Sequence, residues 1–311
     1  MKSEIDSDIT FRKLEIFLAF MRTGTIPHAA ELLDTSPVSV HRALHSLEEG
    51  MKCQLFRNEG RTLVPTPAAT LLAETARQVV DAMSLGISLA RAASGVSSGR
   101  LRIGSLYSLT ADIVPQVIAS LKAKRPELKI ELALGSNDDL LDRLMRSQID
   151  AVLMGIPQEE AGSLDIVPLF EDEIYFACAE SGSRSLGPDI DLIDLRDFRD
   201  ADFVSLTDGF LTFQGFVDAF RIAGFTPKIA SQASDIFSLV SLVTAGMGYT
   251  LLPGRVREAF GSRIRLIPLR EPYRMRQAIG LSYLHARERD PVLLSLAAAC
   301  RQLAISTARH T

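Results

Sequence analysis

Apolar positions recur at helical spacing through the first third of the chain. Leu14, Phe17, Leu18 and Met21 form one stripe, Ala29, Ala30, Leu32 and Leu33 a second, and Val40, Ala43, Leu44 and Leu47 a third. Steps of three and four place each set on one helical face. A longer striped run, PAATLLAETARQVVDAMSLGISLARAAS (67–94), follows. The pattern changes at SGVSSGR (94–100), a glycine and serine stretch that reads as a linker. Beyond it short apolar runs alternate with helical ones: LRIGS, KIELALGS, NDDLLDRLMRSQ, IDAVLMGI and LDIVPLFEDEIYFACA, then ADFVSL, FQGFVDAFRIAG, KIASQAS, DIFSLVSLVTAGMG, YTLLPG, RLIPL and RQAIGLSYLH, with a closing helix from about Asp290. Such alternation predicts an α/β body with parallel sheets and crossover helices.

Two sheets are expected in the body rather than one. Its length of about 215 residues exceeds a compact doubly wound unit, and LDIVPLFEDEIYFACA is too long for one uninterrupted strand. The acidic Glu171-Asp172-Glu173 in its middle marks an expected crossing between two lobes, and Pro272 within REPYRMRQ (270–277) marks a second. Two crossings put a cleft between the lobes, a geometry suited to a small ligand at the carboxyl ends of strands.

Composition narrows the class. With 47% hydrophobic and 23% charged residues the chain is globular, neither disordered nor fibrous. Lys plus Arg is 34 against 38 for Asp plus Glu, a net charge of -4, which argues against a uniformly basic nucleic-acid coat. Any DNA contact must be local. Cys53, Cys178 and Cys300 stand far apart, without the C-x-x-C spacing of metal or redox work, as in a reduced compartment. The start, MKSEIDSDITFRKLEIF, carries acids where a signal peptide needs a basic and then an apolar run, and no stretch reaches about 18 uninterrupted apolar residues. These features predict a cytoplasmic location and no membrane partner.

Within GTIPHAAELLDTSPVSVHRALHSLEEG (24–50) two short helices flank a polar break. Thr25 can cap the first; Leu33-Asp34-Thr35 is the turn; Ser36 is the N-cap of the second and Pro37 its N1 residue, where a missing N–H costs nothing. Facing out from the second helix are Ser36, Pro37, Ser39, Arg42, His45 and Ser46, a set suited to a recognition helix whose Arg bridges to a guanine edge or a phosphate. QLFRNEGRTLVPT (54–66) reads as a hairpin with Asn58-Glu59-Gly60 at its tip, flanked by Arg57 and Arg61 as in a DNA-resting wing. Residues 1–66 hold eight bases and nine acids, so affinity must come from a few placed cations, doubled by dimerisation. The 67–94 helix is either a dimer seam or a helix packed on the body. His41 and His45 have the i,i+4 spacing of zinc ligands but lack a His-Glu-x-x-His frame, so His41 is read as packing or touching DNA.

The order Leu14 and Phe17, Gly24-Thr25, Ala29-Ala30, Leu32-Leu33, Leu47-Glu48, Leu55-Phe56, Arg61 and Pro65-Thr66 resembles the LysR-type transcriptional regulators. The likeness continues through GRLRIGS (99–105), VPLFEDEIYFACA and VTAGMGYTLLP (243–253), so it spans nearly the whole chain. It implies a winged helix-turn-helix over 1–66, a linker dimerisation helix over 67–98, and a two-lobed effector domain over 99–311 similar to type 2 periplasmic binding proteins. Lobe 1 would be about 99–170 plus 273–311 and lobe 2 about 171–272. It further implies a homodimer or homotetramer on double-stranded promoter DNA, acting on RNA polymerase and answering to a small molecule, with no cofactor, no metal and no catalysis. Three positions depart from the family pattern: His41 stands where most members have Ser, Lys52 where they have Gly, and Ala69 replaces a turn glycine. VHRALHSLEEG, GRLRIGSLYSLT, SLVTAGMGYTLLPGR, EPYRMRQ and RERDP together resemble the subgroup that regulates malonate utilisation, which implies malonate or a related small carboxylate as effector.

A carboxylate needs donors where a strand meets a helix. Ser105, Tyr107, Ser108, Leu109 (through its N–H) and Thr110 follow the first body strand; the plain alternative makes Ser108 or Thr110 only an N-cap. Ser205 and Thr207, with Thr212 and Gln214 beyond them, end another strand, and SNDDL (136–140) opens a helix. Arg143 and Arg146 read as a solvated face, while Arg274 or Arg276 could clamp a dianion from the second crossing. An enzyme would need a nucleophile near a base, yet the body has only His285 and His310, with no Gly-x-Ser-x-Gly, metal spacing or phosphate loop. The contrasting possibility is a solute-binding protein without DNA readout. Cys178 and Cys300 read as buried structural thiols rather than redox sensors.

Overall fold

The computed structural model describes residues 6–60, 62–94, 99–156, 162–181, 186–187 and 189–307. By its internal contacts the chain divides into two compact units, Met1–Ser88 and Leu89–Thr311. The first contains α1 (Phe11–Thr23), α2 (Ile26–Leu32), α3 (Pro37–Met51), the hairpin of β1 (Phe56–Glu59) and β2 (Thr62–Pro65), and most of α4 (Pro67–Ala93).

Caps set the helix limits. The Thr10 hydroxyl accepts the Lys13 amide N–H, and Gly24, at φ 71°, turns the chain out of α1. Thr25 and Ser36 cap α2 and α3, each followed by a proline in the first turn. Val40, Ala43, Leu44 and Leu47 of α3 are all buried, packed with Phe17, Phe20, Leu55 and Phe56; the Phe20 and Phe56 rings meet edge to face at 5.0 Å. Leu32 departs from its expected stripe and is exposed, because α2 has only seven residues and buries one narrow face through Ala29 and Ala30. The wing pairs Asn58 with Leu63 and Glu59 with Thr62, so Asn58 and Glu59 belong to β1 rather than to the expected tip Asn58-Glu59-Gly60.

In the second unit the elements are β3 (Arg100–Ser105), α5 (Ile113–Lys124), β4 (Lys129–Leu134), α6 (Asn137–Met145), β5 (Ala151–Gly155) and β6 (Leu164–Ala179). They continue with β7 (Asp202–Leu206), α7 (Leu211–Ala223), β8 (Lys228–Ala233), α8 (Ile236–Thr244), β9 (Thr250–Pro253), α9 (Val256–Phe260), β10 (Ile264–Ile267), β11 (Arg276–Leu284) and α10 (Pro291–Thr307). The sheet is mixed, which corrects the expectation of parallel sheets alone. β3 lies parallel between β4 and β5, and β7 runs parallel to β8, but β6, β9, β10 and β11 pair antiparallel. Alternating periodicity reveals crossover helices; it does not reveal which strands pair antiparallel.

β6 is also one continuous strand of 16 residues, contrary to the expectation of an interruption. It stays ordered over that length by changing partners. Leu164–Glu173 pairs with β11, and Ile174–Ala179 pairs with β9 and β10. Each acid at the change of partner meets an arginine: Glu171 with Arg276 at 3.4 Å, Asp172 with Arg255 at 2.9 Å, and Glu173 with Arg274 at 3.2 Å. The flanking peptide Glu271-Pro272 is cis.

Candidate functional site

On the head, α3 presents an uninterrupted outward face. Ser36, Pro37, Ser39, His41, Arg42 and His45 are all exposed. The Ser36 hydroxyl accepts the Ser39 amide N–H at 3.1 Å and lies 2.9 Å from the Ser39 hydroxyl, so both serines are oriented at the positive end of the helix. Arg42 has no ion pair among the described residues and is available to an anion. Ser46 differs from its neighbours: Lys13 of α1 donates to its hydroxyl at 2.7 Å, which ties α1 to α3. Thr25 accepts the His28 amide N–H at 3.4 Å as the cap of α2. Arg57 on β1 is exposed and paired with Glu59 at 2.8 Å, a surface bridge weak enough to be exchanged for a phosphate. Arg61 lies outside the described residues. Glu48 accepts the Leu55 and Phe56 amide N–H groups at 2.9 and 3.0 Å, which fixes the entry of the wing relative to α3.

In the second unit, two strand ends and two helix starts converge. Ser105 closes β3, fully buried, donating to the Leu106 carbonyl at 3.0 Å. Tyr107–Leu109 forms a single 3-10 turn whose Tyr107 ring stands edge-on to Phe237 of α8 at 6.3 Å. Tyr107, Ser108 and Thr110 are half-buried. The Leu109 N–H is already donated to the Leu106 carbonyl and its side chain is fully buried, so binding through that N–H would require the turn to open. Thr110 donates to the Tyr107 carbonyl, as a turn-closing residue does.

Ser205 is buried near the end of β7, accepting from Gln232 at 3.4 Å, and the Thr207 amide N–H is held by the Ala233 carbonyl. Sequence reasoning missed Asn137. Buried at the start of α6, it donates to the Gly155 carbonyl at 3.4 Å and accepts the Leu211 amide N–H at 3.2 Å, joining the starts of α6 and α7. The Asp138 amide N–H donates to the Gly209 carbonyl beside it. Gln277 of β11 was missed as well; it is buried and 3.4 Å from the Thr212 hydroxyl. A polar residue directly after an N-cap serine was the available signal for Asn137.

The candidate arginines separate from this group. Arg274 is paired with Glu173 at 3.2 Å and Glu271 at 3.8 Å, and Arg276 with Glu171, so both brace the crossing strands. Arg143 and Arg146 pair with Asp139 and Asp142 one turn back, a solvated helix face. Burial pushes the Cys300 thiol up to about 12 and the Cys178 thiol upward too, which keeps both protonated and poorly nucleophilic. Beside α7 and β8 lies a cavity of about 510 Å³ walled by Phe213, Phe216, Phe220, Phe225 and Ile229, apolar and ill-suited to a dianion.

Two family models account for this organisation: "Bacterial regulatory helix-turn-helix protein, lysR family" matches residues 11–70, and "LysR substrate binding domain" matches residues 94–304. The chain belongs to the LysR family of transcriptional regulators. It is 48% identical over 311 residues, 99% of this chain and 100% of the other, to the malonate utilization transcriptional regulator of Klebsiella pneumoniae. Among solved structures it is similar in fold to CbnR, a LysR family regulator, with a TM-score of 0.67, 21% identity and coverage of 95% of this chain and 99% of that one. The structure of full-length CbnR complexed with its target DNA gives a TM-score of 0.66 at 19% identity, with the same coverage of each chain. The protein is therefore a DNA-binding transcriptional regulator with an effector-binding domain, not an enzyme, and no described helix is long and apolar enough to cross a membrane.

Proposed function

We propose that the chain regulates malonate-utilisation genes as an activator, taking malonate or a related small carboxylate as effector in the cleft of its second unit. The observation that carries this reading is the 48% identity, over essentially the full length, to a regulator named for malonate utilization. In this reading the reading head is 1–66, the linker helix 67–98 and the effector domain 99–311, with the lobes joined where β6 changes partner. Ser36, Pro37, Ser39, His41, Arg42 and His45 face the major groove, while Thr25, Arg57 and Arg61 contact the backbone. The polar groups at the ends of β3 and β7, namely Ser105, Tyr107, Ser108, Thr110, Ser205 and Thr207, receive the carboxylate, joined by the Leu109 N–H when its turn opens.

Two such heads act together on double-stranded promoter DNA in the cytoplasm. α4 leaves Leu71, Val79, Met83 and Ile87 exposed, an apolar row that a second copy of the helix would cover in a homodimer, the unit of a homotetramer. Arg274 acts through the crossing rather than as a clamp: ligand in the cleft favours one lobe arrangement, alters the spacing of the heads, and so changes contact with RNA polymerase. Calorimetry of the full chain with malonate, methylmalonate, succinate and acetate tests the effector. Heat with malonate and none with acetate supports it; absence of heat with malonate removes malonate while leaving the regulator.

A further inference from the structure

The outward face of α3 carries a histidine pair that DNA reading does not by itself require. His41 and His45 are both exposed, with ring centroids 4.4 Å apart and Nε2 atoms 3.2 Å apart. Zn²⁺ binds imidazole nitrogen at about 2.0–2.1 Å, so two nitrogens 3.2 Å apart subtend about 100° at one ion, near the tetrahedral angle. The other ring nitrogen of His45, Nδ1, lies 3.4 Å from Glu48 Oε2. Metal-bound histidines ordinarily donate their second N–H to a carboxylate, which fixes the tautomer and raises the basicity of the ligating nitrogen. Glu48 is held in place for that task, because its Oε1 accepts the Leu55 and Phe56 amide N–H groups.

We propose that His41 and His45 chelate a borderline divalent cation of the Zn²⁺ class, with Glu48 as the orienting carboxylate, and that the bound ion interferes with sequence-specific DNA readout by α3. Chelation rests on the geometry alone; the interference rests in addition on α3 being the reading helix. Two protein ligands leave the remaining positions to water, so a hydrated ion stands on the face that Ser39 and Arg42 share with the pair. Both Nε2 atoms are then committed to the ion and can neither donate to nor accept from a base edge, and Nδ1 of His45 is engaged by Glu48. A simple N–H···N hydrogen bond between the rings is the competing account of the short contact, and it predicts no affinity for metal.

The test is calorimetric titration of ZnCl₂ into the full chain without DNA. Cys53 is exposed, and Asp165, His285 and Glu288 have ligand atoms within 4.8 Å of one another, so the parent for the experiment is Cys53→Ser/His285→Ala. About one Zn²⁺ per chain is expected in that parent, weakened at least tenfold by His41→Ala or by His45→Ala, with Glu48→Gln weakening it about 10- to 100-fold. Absence of Zn²⁺ binding in the parent, or binding equal to the parent in both histidine variants, overturns the chelate. A gel shift with duplex from upstream of the chain's own gene tests the interference: Zn²⁺ should weaken the specific complex of the parent and leave that of His41→Ala/His45→Ala unchanged. Unaltered or tighter binding by the zinc-loaded parent overturns it, whereas a parent that binds no DNA even without zinc counts against α3 as reader.

Discussion

Arg42 stands without an ion pair among the described residues, the only arginine of α3, on the face that also carries the capping Ser36, Ser39, His41 and His45. If it makes a bidentate contact with a base, Arg42→Ala should cost about 1–3 kcal/mol of specific binding while changing non-specific binding little, measured by fluorescence anisotropy on specific and scrambled duplexes. A second residue-scale outcome concerns thiols. Cys178 and Cys300 are completely buried and Cys53 is exposed, so a thiol reagent should titrate one cysteine in the native protein and three after denaturation. Lys52 shows how a departure from the family pattern reads in structure. It ends α3 at φ 53°, the left-handed conformation in which a β-carbon is penalised. Lys52→Gly should therefore stabilise the head by up to about 1 kcal/mol, offset in part by the freer unfolded chain, as thermal unfolding would record.

At the scale of elements, buried charge holds the second unit together in two different ways. Asp150 lies at the start of β5, where it accepts from Arg102 and Arg287. Burial pushes its carboxyl up, but the Arg102 hydrogen bonds and charge, with Arg287, outweigh burial and bring it below its ordinary value. A lowered folded value means stability present above the unfolded value near 3.8 and lost as pH falls through the folded one. Asp150→Asn should lower stability at neutral pH and remove part of the acid sensitivity below about pH 4, seen in denaturant melts across pH. Asp172 behaves oppositely: burial outweighs Arg255 and raises its carboxyl, and burial lowers Arg255. Such a pair contributes little net stability, yet removing one partner strands the other. Arg255→Met alone should cost about 3–5 kcal/mol, and Asp172→Leu combined with Arg255→Met should recover most of it. The pair sits where β6 passes between ladders, so the same variants report on the stiffness of that crossing.

For the whole molecule, the net charge of -4 leaves DNA affinity to a few placed cations, multiplied by symmetry in the dimer proposed above. Met83→Asp, on the exposed row of α4, should weaken self-association in sedimentation and reduce promoter binding with it, leaving the fold of each unit unchanged. The local pattern alone determined the head: helix stripes, Thr25 and Ser36 caps, the Pro37 start and the outward set on α3 depend on contacts a few residues apart, which periodicity records directly. It likewise marked the strands and helices of the second unit and the acidic run at its crossing. Tertiary structure decided what those residues meet. The antiparallel return of β6 and β11, Arg255 reaching Asp172 across 83 positions, Arg274 spent on Glu173, and Asn137 bridging to Leu211 across 74 positions all depend on which strands pair. Hydrophobic spacing specifies which face of an element is buried; it contains no information about the partner that buries it, and the charges at the crossing and the polar groups at the strand ends take their roles from that partner.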